Sequence, residues 1–462
     1  MQSQWMELTA WNGGNSMDYN IKEYGAVADG ATNNSGAIQA AVDACTEAGG
    51  GRVIIPTGRF LSGTIVLKSN VTLYLEKGAE LISSLRKEDI LDFFGNSEFE
   101  DPSEATGWEG GCFLCALHEH DISILGEGTI YGQGDQVFYD DGADGGIGEC
   151  PKNVRIEDRP RTTYFEDVEN LTVRGITFRD AAFWTLHMAG CRHVLVDGIR
   201  ILNDQRGANN DGIDPDTCQD VVISNCIIKS GDDAIVVKNS VPMAKKYGCC
   251  ENIVIKGCVL YSHDSALKVG TETGCGIRHV MLSDCVFREC SRGVGIWVRD
   301  GAVIEDIHVH HVSGNTKRYA DCPQREFAPR WWGKGEPIFI NATPRKNGGH
   351  PGIIRNITFD HISMTAESSL FIAGEEDAVI EDVIVENLNL TLKQQGTQKP
   401  GVFDEQPSRR DVYPHEIPAI YIRSAKGVEI QGNIRRDGIY KEYPLSQTEK
   451  TEDIKISVRE RS

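Results

Sequence analysis

ENLTVRGITFRDA (169–181), RHVLVDGIRILND (192–204), QDVVISNCIIKSG (219–231), ENIVIKGCVLYSH (251–263) and IRHVMLSDCVFRE (277–289) are five versions of one pattern. Each has a polar start, a short alternating strand, a small or polar corner and a second short strand. With Leu171, Val194, Val221, Ile253 and Val280 taken as equivalent, the steps are 23, 27, 32 and 27 residues. Similar units lie earlier, at 70–82 and 120–132, and later, at 304–313, 354–363 and 380–389. Period-2 alternation rich in Val and Ile means strands. The steps are too short for β-α-β units of about 30 residues or more that each include a helix. Coils of short strands with Gly and Asn corners fit instead. Stacked about 4.8 Å apart, they pair every strand with the coil above and below. The expected fold is therefore all-β, a parallel β-helix of roughly ten coils.

Solenoids need capped ends. NSGAIQAAVDACTEA (34–48) supplies one: Asn34 or Ser35 is the N-cap, Ile38, Ala41, Val42 and Cys45 make one apolar helical face, and Gly49–Gly51 stop the helix. The polar tail from about 445 to 462 reads as poorly anchored. Regular patterning begins after Met17, so residues 1–17 read as an extension and 18–462 as one β-helix domain. The stretches 133–160 and 313–350 break the rhythm and read as long loops.

The formal charge of −21 disfavours nucleic acid or an anionic membrane as partner. The N-terminus lacks the basic start and apolar run of a signal peptide, and no stretch of about 18 apolar residues exists. A cytoplasmic address is expected. Most of the 14 cysteines lie within apolar strand patterns, as Cys226, Cys258 and Cys285 do, and read as reduced, buried small hydrophobes. Cys112 and Cys115 form a CxxC without a second pair at zinc-site spacing, and Cys249–Cys250 reads as structural.

One pair of adjacent coils carries an acidic set. NNDGID (209–214) ends one coil and SGDDAIVVK (230–238) ends the next. Asp211, Asp232 and Asp233 thus fall on neighbouring turns, with Asp214 close by. Inverting glycoside hydrolysis needs one protonated carboxyl for the leaving oxygen and ionised carboxylate to activate water, about 6.5–9.5 Å apart. Crowded like charges keep a proton available near neutrality. A competing reading treats these residues as corner-forming Asp and Asn.

The segment 209–239 resembles glycoside hydrolase family 28, the polygalacturonase and rhamnogalacturonan hydrolase family. Asn209-Asn210-Asp211 and Gly231-Asp232-Asp233 match its Asn-Thr-Asp and Gly-Asp-Asp motifs, with Asn210 in place of Thr. YGAVADG (24–30), RPRTTYFEDVENLTVRGITF (159–178) and FWTLH (183–187) extend the resemblance from Tyr19 to about Val428. The resemblance implies a right-handed β-helix and an oligosaccharide substrate. It implies Asp232 as general acid, with Asp211 and Asp233 positioning and deprotonating water. No metal and no cofactor are implied.

Two family motifs are missing. Asp264-Ser265-Ala266 stands where the family has Gly-His-Gly, with His263 adjacent but out of register. Gly295-Ile296-Trp297 replaces Arg-Ile-Lys, the family's grip on a substrate carboxylate. Alternation turns Lys268 outward, one coil before the missing Arg, and makes Trp297 a flat platform for a sugar ring. Asn209, Asp264, His263, His187, Arg299 and, more weakly, Arg292 are further candidate substrate contacts, and Trp184 leads toward the cleft. NTKRYADCPQREFAPRWWGKGEP (315–337) gathers Lys317, Arg318, Arg325, Arg330, Lys334, Trp331 and Trp332 as a basic, aromatic cleft wall. The expected activity is inverting hydrolysis of α-linked, pectin-type oligosaccharides, from chain ends of short oligomers. The residues leave open a family member acting on a non-uronic sugar, a β-helix lyase with Lys238 or Lys268 as base, and a non-catalytic glycan-binding β-helix.

Overall fold

The computed structural model describes residues 17–91, 111–142, 145–155, 159–320 and 333–461. Within them the chain winds into a right-handed parallel β-helix. One face is a sheet of 12 parallel strands, from Ile65–Val66 to Ser446–Glu449, against the roughly ten coils expected. This is the site face. A 22-stranded sheet forms the other two faces.

The aligned repeat positions are true neighbours. Leu171, Val194, Val221, Ile253 and Val280 are successive register partners. Each is at most 2% exposed. The column continues through Ile307, Ile357, Val383 and Val428. The residue preceding each of the first five is Asn, Asp or His in the left-handed region, with φ between 54° and 63°. Asn and Asp tolerate this conformation because their short side chains bond locally. Here they also bond between coils: Asn170 Nδ2 donates to Asp121 Oδ1 at 3.1 Å and Asn252 Nδ2 to Asp220 Oδ1 at 3.0 Å.

The helix Ser35–Glu47 caps the first coils and buries Ile38, Ala41, Val42 and Cys45 as expected. Asn34 occupies its N-cap but makes no capping bond; its amide holds the carbonyls of Val27, Thr32 and Leu61 instead. Among the described residues ten cysteines are free and buried, Cys226, Cys258 and Cys285 included. Cys249 departs from the reduced reading by forming a disulfide with Cys275.

Three expectations about the ends and loops need correction. The C-terminal tail is anchored: Ser446–Glu449 and Glu452–Arg461 pair in register with the preceding coil and form the last rung. Its charged residues mask the alternation of Ile454, Ile456 and Val458, which pack against the core. The stretch 313–350 contains Glu336–Ala342, a fully buried strand of the site face. The stretch 133–160 holds a short helix, Gly134–Val137, and an antiparallel pair, Phe138–Tyr139 with Asn153–Val154.

Two elements cover the outer surface of the site face at either end. The helix Val241–Tyr247 sits over the earlier coils, packing Met243 and Tyr247 on Cys112, Cys115, Tyr164 and Ala189. A hairpin, Val402–Asp404 with Val412–Pro414, sits over the later ones. Phe403 packs at 4.9 Å from both Phe371 and Tyr421. Glu405 receives Arg423 Nη1 and Nη2, both at 2.8 Å, and the Tyr413 hydroxyl at 2.6 Å. The strands between those two covers, Ile213–Asp216, Ile235–Asn239 and Ser265–Thr273 among them, floor the candidate groove.

Ile255 lies between Ile223 and Leu282 in a fully buried column. Ile255→Ala should cost about 2–5 kcal/mol in denaturant unfolding. Met281→Ala, at an outward position 41% exposed, should change stability by no more than about 0.5 kcal/mol. Similar losses in the two variants would contradict the assigned inward and outward faces.

Candidate active site

The acidic set stands at the N-terminal ends of consecutive site-face strands. Asp211 precedes Ile213–Asp216, Asp233 precedes Ile235–Asn239 and Asp264 precedes Ser265–Thr273. The ladder fixes their stacking: the Gly212 amide donates to Asp233 O at 2.9 Å and Ala234 to Ser265 O at 2.9 Å. Gly231 allows the tight approach, since a Cβ there would meet Gly207 O at 2.2 Å.

Asp211, Asp232 and Asp233 each offer an oxygen within 4.8 Å of the others. This is tighter than the separation of about 6.5–9.5 Å expected for an acid–base pair. Asp232 is the member that reaches the surface; Asp211 and Asp233 are buried. Asn209 donates its backbone N–H and its Nδ2 to Asp232 Oδ2, at 3.2 and 3.3 Å. Asp211 Oδ1 is buried without a hydrogen-bond partner among the described residues. Burial, then the charges of Asp232 and Asp214, push Asp211 well above the usual carboxylate range. Burial and Asp233 also raise Asp232.

Two lysines, Lys238 buried and Lys268 half-buried, offset this charge. Lys268 Nζ binds Asp233 Oδ2 at 2.8 Å, and Lys238 Nζ lies 3.4 Å from Asp214 Oδ1. Lys238 also stands 3.7 Å from the centre of the Trp184 ring. Asp214 is pushed up to about 7 by burial despite Lys238. Burial alone would raise Glu272, but Lys238, Lys268 and Arg345 overcome it and hold this group at about 2. Sequence reasoning did not single out Glu272, and it considered Lys238 only as a lyase base. Period-2 alternation already placed Lys268 and Glu272 on one face, which was the available signal.

Lys268, Asn209 and Asp264 lie beside the aspartates, Lys268 in contact with Asp233. Other expectations are corrected. Trp297 turns outward but is 2% exposed and forms no open platform. Its ring lies back over Gly295, where a Cβ would meet it at 2.0 Å, and 5.2 Å from Phe339. Arg299 does not face the groove. It is buried and donates to Pro407 O at 2.8 Å and Asn341 O at 3.1 Å, fastening the hairpin. Burial pushes its guanidinium down to about 9. Arg292 is likewise buried, donating to Asp404 O at 2.7 Å. His263 packs against Tyr319, with ring centres 3.8 Å apart; burial, then Lys317, pushes it down to about 3. His187 is a buried neighbour of the site, 4.8 Å from the Trp184 ring and 4.0 Å from Asp216 Oδ2. Burial, then Arg161 and Lys238, keep it well below the usual histidine range. Trp331, with Arg325, Arg330 and Trp332, lies outside the described residues. Lys317 pairs with Glu149, Lys334 with Asp404 at 3.2 Å, and Arg318 holds Lys399 O. The described part of that stretch is therefore an internal brace and not a free cationic wall.

Asp264 is pushed up to about 8 by burial, then by Asp233 and Asp232. The unfolded value is about 4. Between these limits the native state binds the proton more tightly, so this group's stabilising contribution is full below about pH 4 and is lost as pH rises toward 8. Asp264→Asn, which cannot ionise, should raise the thermal midpoint above wild type at about pH 9 and lose that advantage below about pH 4. Equal midpoints at the alkaline end would show that Asp264 does not share the crowded site.

The sequence profile of glycosyl hydrolases family 28 matches residues 45–313. A probable polygalacturonase from Vitis vinifera is 30% identical over 320 residues, covering 65% of this chain and 61% of that protein. An exo-poly-α-D-galacturonosidase from Dickeya chrysanthemi is 27% identical over 255 residues, covering 47% of this chain and 41% of that protein. The chain thus matches about half the length of these relatives. The family 28 exopolygalacturonase of Yersinia enterocolitica superposes with a TM-score of 0.70 at 17% identity, covering 96% of this chain and 79% of that one. An exopolygalacturonase from Thermotoga maritima gives 0.63 at 20% identity, over 81% and 87%. The last two likenesses bear on the fold, where they agree with the β-helix described above. The profile match extends over more than half of the sequence and includes all three clustered aspartates, and the chain belongs to glycosyl hydrolases family 28.

Proposed function

We propose that this chain is an inverting glycoside hydrolase that cleaves α-linked, pectin-type oligosaccharides from a chain end. The observation that carries the reading is the cluster of Asp211, Asp232 and Asp233, with one member open to the groove and two behind it. Asp232 is the general acid: its proton passes to the leaving oxygen as the bond to the anomeric carbon breaks. A water held by Asp211 and Asp233 attacks that carbon from the opposite side and gives its proton to them. Two carboxylate oxygens up to 4.8 Å apart can both accept from one water at ordinary distances of about 2.7 Å. The short separation therefore suits a shared water. Lys268 positions Asp233 for this task.

Chain-end action is supported by the helix and hairpin that bound the groove, and by the naming of relatives such as the Dickeya protein as exo-acting. A lyase is disfavoured because its base would have to shed a proton. Against the effect of burial, Glu272 and Asp214 raise Lys238, and Asp233 and Asp264 raise Lys268, so both stay charged. One observation favours a second reading, a neutral ring in place of a uronate at the cleavage site. Lys238 and Lys268 are already engaged by the protein's own carboxylates, and Trp297 covers Gly295.

Proton NMR of the protein with oligogalacturonides, rhamnogalacturonan fragments and neutral α-linked oligomers should show a β-hemiacetal appearing first. A vinylic signal would instead mean a lyase, and early α-hemiacetal would mean retention. Asp232→Asn should lower turnover by about 10²–10⁴-fold without lowering the thermal midpoint. Undiminished turnover in that variant would remove the catalytic assignment and leave a glycan-binding β-helix.

A further inference from the structure

On the face next to the catalytic one, a cavity of about 690 Å³ opens between the outward side chains and the segments around Glu149 and Tyr319. None of Asp211, Asp232 or Asp233 lines it. Its floor is one outward column: Leu202, Lys229 and Tyr261 are register partners on three successive coils. Leu202 is 38% exposed there. Asp180 and Lys229 both line the cavity. Neither side chain has a hydrogen-bond or ion-pair partner among the described residues, whereas Lys317 and Arg206 close by are bound to Glu149 and Asp140. Asp180 is half-buried, and burial, then Asp135, push it up to about 6.

We propose that this cavity is a second carbohydrate site, taking a neutral pyranose unit beside the catalytic groove. The volume lies within the range of about 300–1,000 Å³ typical of small-molecule sites. An unengaged carboxylate accepts from sugar hydroxyls, and an unengaged ammonium donates to sugar oxygens. Leu202 and the Tyr261 ring give apolar surface for the C–H face of a pyranose. The lining carries acidic and basic groups together, so it offers no net attraction to an anion and suits a polyol better. The identification of the ligand as a sugar rests on the hydrolase reading. The two sites share a wall: His263 lines the cavity while Asp264 faces the carboxylates, and Asn203 of the cavity donates to Asn210 O at 2.9 Å, next to Asp211.

Leucine-methyl NMR of the Asp232→Asn chain tests this, with the Leu202 signal assigned by its loss in Leu202→Val. The probes are methyl α-L-rhamnoside, methyl α-D-galactoside and galacturonate. The Leu202 methyls should shift saturably with the two neutral glycosides. Apparent affinity should weaken about tenfold in Lys229→Ala and in Asp180→Asn, since each removes a charge-assisted hydrogen bond. The remaining leucine signals, unchanged, would report an intact fold. A Leu202 signal that stays still, responds equally in both variants, or responds at least as strongly to galacturonate would overturn the proposal. Turnover by the wild type with a silent Leu202 would reject only this cavity. A responsive Leu202 in a chain that cleaves nothing would reject the hydrolase reading instead.

Discussion

The hydrogen bonds between successive coils are the constraint on which the rest of this molecule depends. Each coil must repeat the register of the one before it, or lose its backbone partners. Side chains at equivalent positions are therefore held about one strand spacing apart, whatever their chemistry. For Val and Ile this produces the continuous core. For the left-handed Asn and Asp corners it produces a ladder of side-chain bonds. For carboxylates it enforces a repulsion that free chains would avoid. The fold, through register alone, brings Asp211 and Asp233 together and then leaves them to find compensation.

Compensation comes from the same stacking. Lys238 belongs to the strand that Asp233 begins, and Lys268 to the next. Their ammonium groups reach Asp214 and Asp233 without leaving the sheet. The result is a graded set of acids. Glu272 sits near 2, Asp214 near 7 and Asp264 near 8, within a few coils. Environments that push neighbouring titratable groups apart are what acid–base chemistry requires. The same crowding makes the site a net cost to stability at alkaline pH.

What could be read from the sequence divides along the same line. The repeat, the capping helix and the aspartate cluster are local strings whose meaning follows from period and corner chemistry. Lys268 was placed correctly because alternation from Leu267 and Val269 needs only adjacent residues. Trp297 and Arg299 obeyed the same alternation and were still misread. Their surroundings include a hairpin more than 100 residues downstream, whose Pro407 carbonyl binds Arg299. No periodicity announces such a cover. The last rung was missed for a different reason: its outer edge faces solvent, so its strands carry the charge pattern of a disordered tail.

That hairpin is fastened from several directions at once. Arg423 grips Glu405 with two bonds, Asn341 and Thr343 add one each, and Arg292 and Arg299 hold its backbone carbonyls. Losing even four of these together, at about 1 kcal/mol net apiece, would leave the lifted form at roughly one molecule in a thousand. On that scale the hairpin is a wall and not a door. A ligand at the carboxylates therefore meets a fixed wall on that side, and its shape must suit the site as it stands.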